Sequence, residues 1–486
     1  MAVNELLYVS ASEVARRIRA GEVTSLAAVE AFIAQIEAVN PALNAVVFKR
    51  FDVARAEADA ADQRLRDEGA DALPPFHGVP CSVKESFALV GMPNSTGLMQ
   101  RKDLRSTSDA VTVARMRAAG FIPLGVTNTS ELCMWMESNN RVYGATSNPY
   151  DQTRTVGGSS GGEAAIVCAG GAPIGIGSDV GGSIRMPAFF NGVFGHKSTG
   201  GLVPSTGQYP HADEGVARYV VTGPICRHAC DLMPFLRIIA GPDGVDPGCL
   251  PFELGDPATV SFEGRTLVSI EFNGMERVSD ELLAAQRRVV AHFESLGAVV
   301  RRPSIKGLKK SFDIWSACLA AGSKTPFGTL MGQGTPIKPL TELAKWTVGR
   351  SQHTAMATLL AATESLLDHF PAHRARLLAL KDQVRGELLE HMGEGGLLVY
   401  PSYPRVAPKH HSPFLRQLTL RFEYAYTALL NVLELPVTQV PLGLNRKGLP
   451  LGVQIGATHG QDHISIAAAL ELERRFGGWV PPSQWL

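Results

Sequence analysis

Cysteine is sparse and unpatterned in this chain of 486 residues. The seven are odd in number and show no C-x-x-C spacing, which argues against a disulfide framework or a zinc site. Cys226 and Cys230 lie four apart without a second ligand pair and read as buried thiols. Net charge is missing too. Lys and Arg total 46, as do Asp and Glu, so the chain lacks the basic excess that phosphate binding needs, and nucleic acid is not its main partner. Long apolar runs are also absent. The longest stretch of small apolar residues, Ala164 to Gly177, is short and broken by Gly and Pro, so no integral membrane segment is expected. The N-terminal MAVNELLYVSASEVARRIRAGE has no basic region followed by an apolar run; no signal peptide is expected, and a cytoplasmic location is. What is present is globular material, 45% hydrophobic and 19% charged, enough for a large core.

The first 70 residues place apolar side chains at three- and four-residue spacing, which predicts helices. Ser10 followed by Glu13 makes a capping box for one, closed by Gly21. A second is expected from Ser25 until Asn40-Pro41 stops it, and a third over 52–68. From His77 the texture changes. GVPCSVKE (78–85), FIPLGVTN (121–128), PIGIGSDV (173–180) and GVFGHK (192–197) read as strands, with helices over 111–120 and 163–171 between them. The middle, 278–392, reads as mainly helical. Strands return in LLVYPS (397–402), PVTQVPLGL (436–444) and LPLGVQIGA (449–457), before a helix over 465–478. This alternation predicts an α/β fold, and strands at both ends imply one continuous sheet. With no linker or repeat, one domain over 1–486 is expected. It comprises a helical layer (1–75), a core (76–260), a helical insertion (278–395), and C-terminal strands and a helix (396–486) that complete the sheet.

Two glycine loops carry the chemistry: GGSSGG at 157–162 and GSDVGGSIRMPA at 177–188. Glycines let backbone N–H groups crowd around a site where an oxyanion could form. Phosphate binding would need a following Gly-Lys-Ser/Thr or a GxGxxG turn, and Glu163 with an alanine-rich helix follows instead. Ser159 and Ser160 precede a helix N-terminus, where the dipole favours negative charge. The Gly-Gly-Ser turn ending at Ser183 can converge its N–H groups on one point. A blander role for Ser183, compatible with that one, is N-cap of the helix IRMPAFF. A nucleophilic serine needs a base. GxSxG is absent, and His196 and the pair His410-His411 are candidates on composition alone. Lys84 is the better candidate. It ends an apolar strand, where burial would disfavour its ammonium form and leave an amine able to accept a proton. Alone, such a lysine is more often a surface residue or salt-bridge partner; the two serines give it weight.

Lys84, GGSSGG with Ser159, and GSDVGGSIRMPAFFNGVFGHKSTGGLVP with Ser183 together resemble the amidase signature enzymes, in that family's order and spacing. AVNPALNAVV, NTSEL (128–132) and LPVTQVPLGLNRKGLPLGVQIGA also fit, so the resemblance covers nearly the whole chain. Within the family, GMPNSTGLM (91–99), ELCMW (131–135), SIRMPAFFNG (183–192), APKHH (407–411) and FGGWVPP (476–482) are most similar to fatty-acid amide hydrolases of the second type. The N-terminal membrane helix of that type is not expected here.

The resemblance implies the amidase signature fold, a central twisted mixed β-sheet covered by helices on both faces. It implies a Ser-Ser-Lys mechanism in which Ser183 attacks the carbonyl and forms an acyl-enzyme. Ser159, held through a cis peptide bond, relays the proton, and Lys84 is the base. N–H groups of Val180, Gly181, Gly182 and Ser183 would hold the oxyanion, while Ser160, Asp179 and Arg185 support the loops by hydrogen bonding. No metal or organic cofactor is implied. Cys133, Met134 and Trp135, with Met136, are expected to line the substrate pocket. Trp315, Phe327, Leu330, Met331 and Trp346 of the insertion are candidates for a channel, core packing being the competing reading for each. A small-molecule amide with an apolar acyl or aryl group is then the expected substrate, and a homodimer is compatible. The glutaminase subunit of a tRNA-dependent amidotransferase shares this core, but FEYAYTALLNVLELP is mostly apolar where that subunit reads glutamine. An esterase or carbamate hydrolase would use the same site.

Overall fold

The computed structural model describes residues 3–364, 370–412, 415 and 423–485. Its strands are β1 Val46–Lys49, β2 Val79–Lys84, β3 Phe121–Thr127, β4 Asn139–Asn140, β5 Gly144–Ala145, β6 Ile174–Asp179 and β7 Phe194–Lys197. They continue with β8 Val221–Cys226, β9 Thr266–Ser269, β10 Val299–Arg301, β11 Leu397–Tyr400, β12 Val437–Leu444 and β13 Pro450–Ala457. β4 and β5 form a two-stranded ribbon; the rest form one 11-stranded sheet in the order β1-β3-β2-β6-β8-β7-β12-β13-β11-β9-β10. The sheet is mixed. β2 runs parallel to β3 and β6, and β9 runs parallel to β10 and β11, whereas β6, β7, β12 and β13 have antiparallel partners. Strands β2, β3, β6 and β8 are buried along their whole length, as expected of near-continuous apolar runs covered by helices. The fold is the mixed α/β architecture that the alternation predicts.

Local chemistry sets the helix ends. Ser10 caps the helix Ala11–Arg19 by accepting the Glu13 N–H at 3.0 Å. Glu13 turns to Arg16 and Arg17 instead of reaching back, so only half of the capping box forms. The helix Ser25–Leu43 runs past its expected stop at Asn40-Pro41. Pro41 falls in the last turn, where its missing N–H removes one i→i−4 hydrogen bond, and Asn44 ends the helix in the left-handed region at φ 51°. By length and composition this helix could cross a membrane, although no apolar run of that length is expected from the sequence. Here it lays Val29, Phe32, Ile33, Ile36 and Val39 into the core. That core extends from Leu6 to Leu472, so the first and last helices share it.

The middle of the chain supplies the helices Ser311–Gly322, Phe327–Met331, Pro339–Thr347, Ala355–Thr363 and Pro371–Met392. Residues 365–369 of the expected insertion and Phe422 of the FEYAYTALLNVLELP stretch lie outside the described residues. Six cysteines are buried as free thiols, but Cys230 is exposed, unlike its expected state.

Candidate active site

Lys84 is the last residue of β2, and Ser178 and Asp179 end the neighbouring parallel strand β6. Parallel pairing therefore brings both strand ends to one side of the sheet. There the fully buried Lys84 Nζ donates to Ser159 Oγ at 2.7 Å and to Ser178 Oγ at 2.9 Å. Burial pushes the Lys84 ammonium below its ordinary range, while Cys133, Asp179 and Glu163 nearby partly oppose that shift. Ser178 is a partner that the sequence reading did not single out.

The GGSSGG loop reaches Lys84 through a cis Gly158–Ser159 peptide bond. Glycine is required at 158, since a Cβ there would lie 2.4 Å from the Trp135 carbonyl oxygen. Ser138 braces the loop from outside, donating to the Ser159 carbonyl at 3.0 Å and accepting the Gly161 N–H at 2.8 Å. Ser160 ties the two glycine loops together. Its N–H donates to the Ser183 carbonyl at 3.1 Å and its hydroxyl to the Ser178 carbonyl at 3.2 Å.

Asp179 organises the second loop. Its carboxylate accepts from Gly182 N–H at 2.6 Å, Ile184 N–H at 3.0 Å, and Arg185 Nε and Nη2 at 3.0 and 3.1 Å. Burial alone would raise this carboxyl, but the Arg185 guanidinium and the backbone donors outweigh it and hold it well below the usual carboxylate range. Arg185 in turn donates to Gln454 Oε1 and Asn431 Oδ1, both at 2.6 Å, and to the Thr427 carbonyl at 3.0 Å. Asp179, not Ser183, therefore satisfies the start of the helix Arg185–Phe190, whose N-cap position is Ile184. Ser183 is freed for another use and opens onto a pocket with 8% exposure.

One expected oxyanion donor is corrected: the Gly182 N–H is already committed to Asp179. The N–H groups of Val180, Gly181 and Ser183 make no hydrogen bond to any described residue. Their peptide planes are nonetheless fixed. The carbonyls of Asp179, Val180 and Gly182 accept from Asn431 Nδ2 (2.9 Å), Trp315 Nε1 (2.7 Å) and Met186 N–H (2.7 Å). In a trans peptide the N–H points opposite its carbonyl, so each anchored oxygen aims one free donor.

The pocket beside Ser183 is lined by Cys133, Met134, Trp135 and Met136, as expected, and by Met186, Trp315, Leu360 and Tyr424. Leu132 and Cys133 adopt left-handed backbone at φ 52° and 60°, which folds this short loop against Lys84. Of the five insertion candidates only Trp315 reaches the pocket. Phe327, Leu330 and Met331 pack instead into a separate apolar cluster with Leu98 and Leu132, and Trp346 faces outward at 47% exposure. The histidine candidates are occupied elsewhere. His196 is buried between Thr438 Oγ1 (2.9 Å) and Asp462 Oδ1 (3.0 Å), His410 Nδ1 pairs with Glu137 Oε1 at 3.5 Å, and the His411 backbone N–H donates to the same oxygen at 3.2 Å.

Beneath Lys84 lies a carboxyl that the sequence offered only as evidence against phosphate binding. Glu163 is fully buried and accepts from the Ser82 hydroxyl and from Thr127 Oγ1 at 2.6 Å. Burial raises it to about 7 against the lowering pull of those hydroxyls and of Lys84. Among the described residues no group of His, Cys, Asp and Glu is arranged to hold a metal ion.

Comparison with known proteins places this geometry in context. The family model described as Amidase matches residues 27–465. Fatty-acid amide hydrolase 2-A of Danio rerio is 47% identical, over 99% of this chain and 91% of that protein. Fatty-acid amide hydrolase 2 of Homo sapiens is 44% identical over the same shares, 99% and 91%. Among solved structures, 6-aminohexanoate cyclic dimer hydrolase complexed with substrate superposes with a TM-score of 0.79 at 26% identity, covering 99% of this chain and 100% of that one.

Proposed function

The chain belongs to the amidase family, and from that footing we propose that it is a serine amidohydrolase acting on carboxylic amides with an apolar acyl or aryl group. Cleavage of amide C–N bonds is the family's activity; the route and the substrate are our reading. Ser183 Oγ attacks the carbonyl and passes its proton through Ser159 to neutral Lys84. The N–H groups of Val180, Gly181 and Ser183 hold the oxyanion. Lys84 then returns the proton through Ser159 to the leaving amine, and water releases the acyl group from Ser183. Amide cleavage needs leaving-group protonation as much as nucleophile activation, and a buried amine with a serine relay supplies both. The observation that carries this reading is Lys84 Nζ, fully buried, 2.7 Å from Ser159 Oγ.

The substrate class rests on the pocket wall. Its described side chains are apolar, aromatic, thiol or hydroxyl, and none is charged. A glutamine substrate would bring an ammonium and a carboxylate to a wall without counter-ions, which disfavours the amidotransferase alternative. The name of the relatives, fatty-acid amide hydrolase, points to the same class.

A hydrolysis screen across acyl length, with matched amides, esters and carbamates, tests the reading. Each methylene that enters the pocket is worth about 0.8 kcal/mol, so kcat/KM should climb about three- to fourfold per carbon until the pocket is full. Activity confined to short polar amides would refute the apolar substrate. Lys84→Ala should lower amide turnover by roughly 10²–10⁴-fold and ester turnover less, because an ester leaving group needs less protonation. Equal loss on both would remove the proton-return role.

A further inference from the structure

Trp315 does more than wall the pocket. Its indole Nε1–H donates to the Val180 carbonyl at 2.7 Å, so a helical residue 135 positions downstream holds one peptide plane of the GSDVGGS loop. The ring itself lies on Gly181: a Cβ there would sit 3.2–3.4 Å from Trp315 Cζ2, Cε2 and Nε1. Tyr424 supports the indole edge-to-face, with ring centroids 5.7 Å apart at 82°. The next peptide plane is held in the same manner, because Thr427 Oγ1 donates to the Gly181 carbonyl at 2.7 Å.

The two planes differ in what remains free. In the Gly181–Gly182 unit both groups are used, the carbonyl by Thr427 and the N–H by Asp179. In the Val180–Gly181 unit only the carbonyl is used. The Gly181 N–H makes no hydrogen bond to any described residue and points away from the anchored oxygen, and Gly181 lines the pocket that Ser183 and Trp315 share. Glycine at 181 and 182 leaves this stretch otherwise soft, so an external anchor is needed to keep a donor preorganised.

We propose that Trp315 is a positioning residue of the oxyanion loop: its indole N–H fixes the Val180–Gly181 peptide so that the Gly181 N–H meets charge developing on the substrate carbonyl oxygen. This rests on the amidohydrolase reading for the identity of that charge, and it assigns to the insertion a part in the chemical step itself. Amide and ester pass through the same oxyanion. Loss of the anchor therefore slows both equally, unlike loss of Lys84.

The test is Trp315→Phe, which keeps an aromatic ring in the wall and removes the donor. Removing an oxyanion donor outright costs roughly 10²–10³-fold in kcat, so loosening one should cost roughly 10–50-fold. We expect that loss in kcat on an amide and on its matched ester alike, with KM within twofold of wild type. Unchanged kcat, or a change in KM alone, overturns the proposal and leaves Trp315 a pocket wall. Phosphonylation of Ser183 by a fluorophosphonate probe supplies a second readout, since the phosphoryl oxygen uses the same donors. Slower labelling of Trp315→Phe in a protein without amide turnover would uphold the anchor and reject the amidase reading; equal labelling rates would reject the anchor.

Discussion

A buried lysine and a buried glutamate face one problem from opposite sides. Burial pushes the Lys84 ammonium down and the Glu163 carboxyl up to about 7, and each partly opposes the other's shift. As the proposed base, Lys84 would work only when neutral, so activity should fall as pH drops through its pKa. Glu163 favours the ammonium form. Glu163→Gln should therefore lower the Lys84 pKa further and move the acid limb of the kcat/KM profile to lower pH, by up to about one unit. A profile measured from pH 5 to 10 that scales down without moving would show Glu163 to be structural only. Lys84 was legible in the sequence because an amine at the end of an apolar strand has few explanations once two serine loops need a base. Glu163 was not. A glutamate in the first turn of a helix is ordinarily a solvent-facing partner of the dipole, and only the packing of β2, β3 and β6 over it shows otherwise. Gly182 failed for a related reason: sequence lists the N–H groups of a turn but not which one the nearby carboxylate takes.

At the scale of elements, the strands read correctly, β2, β3, β6, β7, β11, β12 and β13, lie in apolar segments entered from a Gly or Pro. Those missed were short or interrupted. β1 and β10 have 4 and 3 residues, close the two edges of the sheet and adjoin long helices whose pattern dominates there. β8, VTGPIC, lies in the sheet interior, where proline is unusual. Pro224 pairs with Ile176 of β6, whereas the pairs to β7 stop at Ile225, so the missing N–H breaks no ladder on that side. The end of β7 carries a cost of its own. Lys197 is fully buried with its Nζ donating to the Ser198 carbonyl at 2.9 Å, and burial lowers it from 10.5 to about 7. The unfolded chain holds that proton up to about 10.5, so the penalty on the folded state is complete below pH 7. It shrinks as pH rises and is gone above 10.5. Lys197→Met should raise stability by roughly 1–3 kcal/mol at pH 6, with the gain fading toward pH 10. Urea midpoints at the two pH values measure it, and a pH-independent difference would refute the titration.

For the whole molecule, the insertion grips the site at two points. Trp315 is one. The other is Glu131, whose carboxylate meets His353 Nδ1 at 2.6 Å and accepts the Thr354 N–H at 2.7 Å, with all of its side chain buried next to the left-handed Leu132 and Cys133. His353→Ala leaves that carboxylate short of a partner. It should destabilise the protein by about 1–3 kcal/mol and raise KM for long-acyl amides, because the residues that follow Glu131 form the pocket wall. Unchanged urea midpoint and KM together would show the pair to be incidental. Neither grip was visible in the chain, where Glu131 and His353 lie 222 residues apart. The order of strands has a further consequence for how the protein is made. β12 and β13 stand between β7 and β11, so the two portions of the sheet built from earlier chain cannot join until residues 437–457 have been synthesised. Until then each portion presents an unpaired edge, at β7 and at β11. On the ribosome the molecule must keep two half-built sheets from sticking to neighbours while it waits for the pair of strands that unites them.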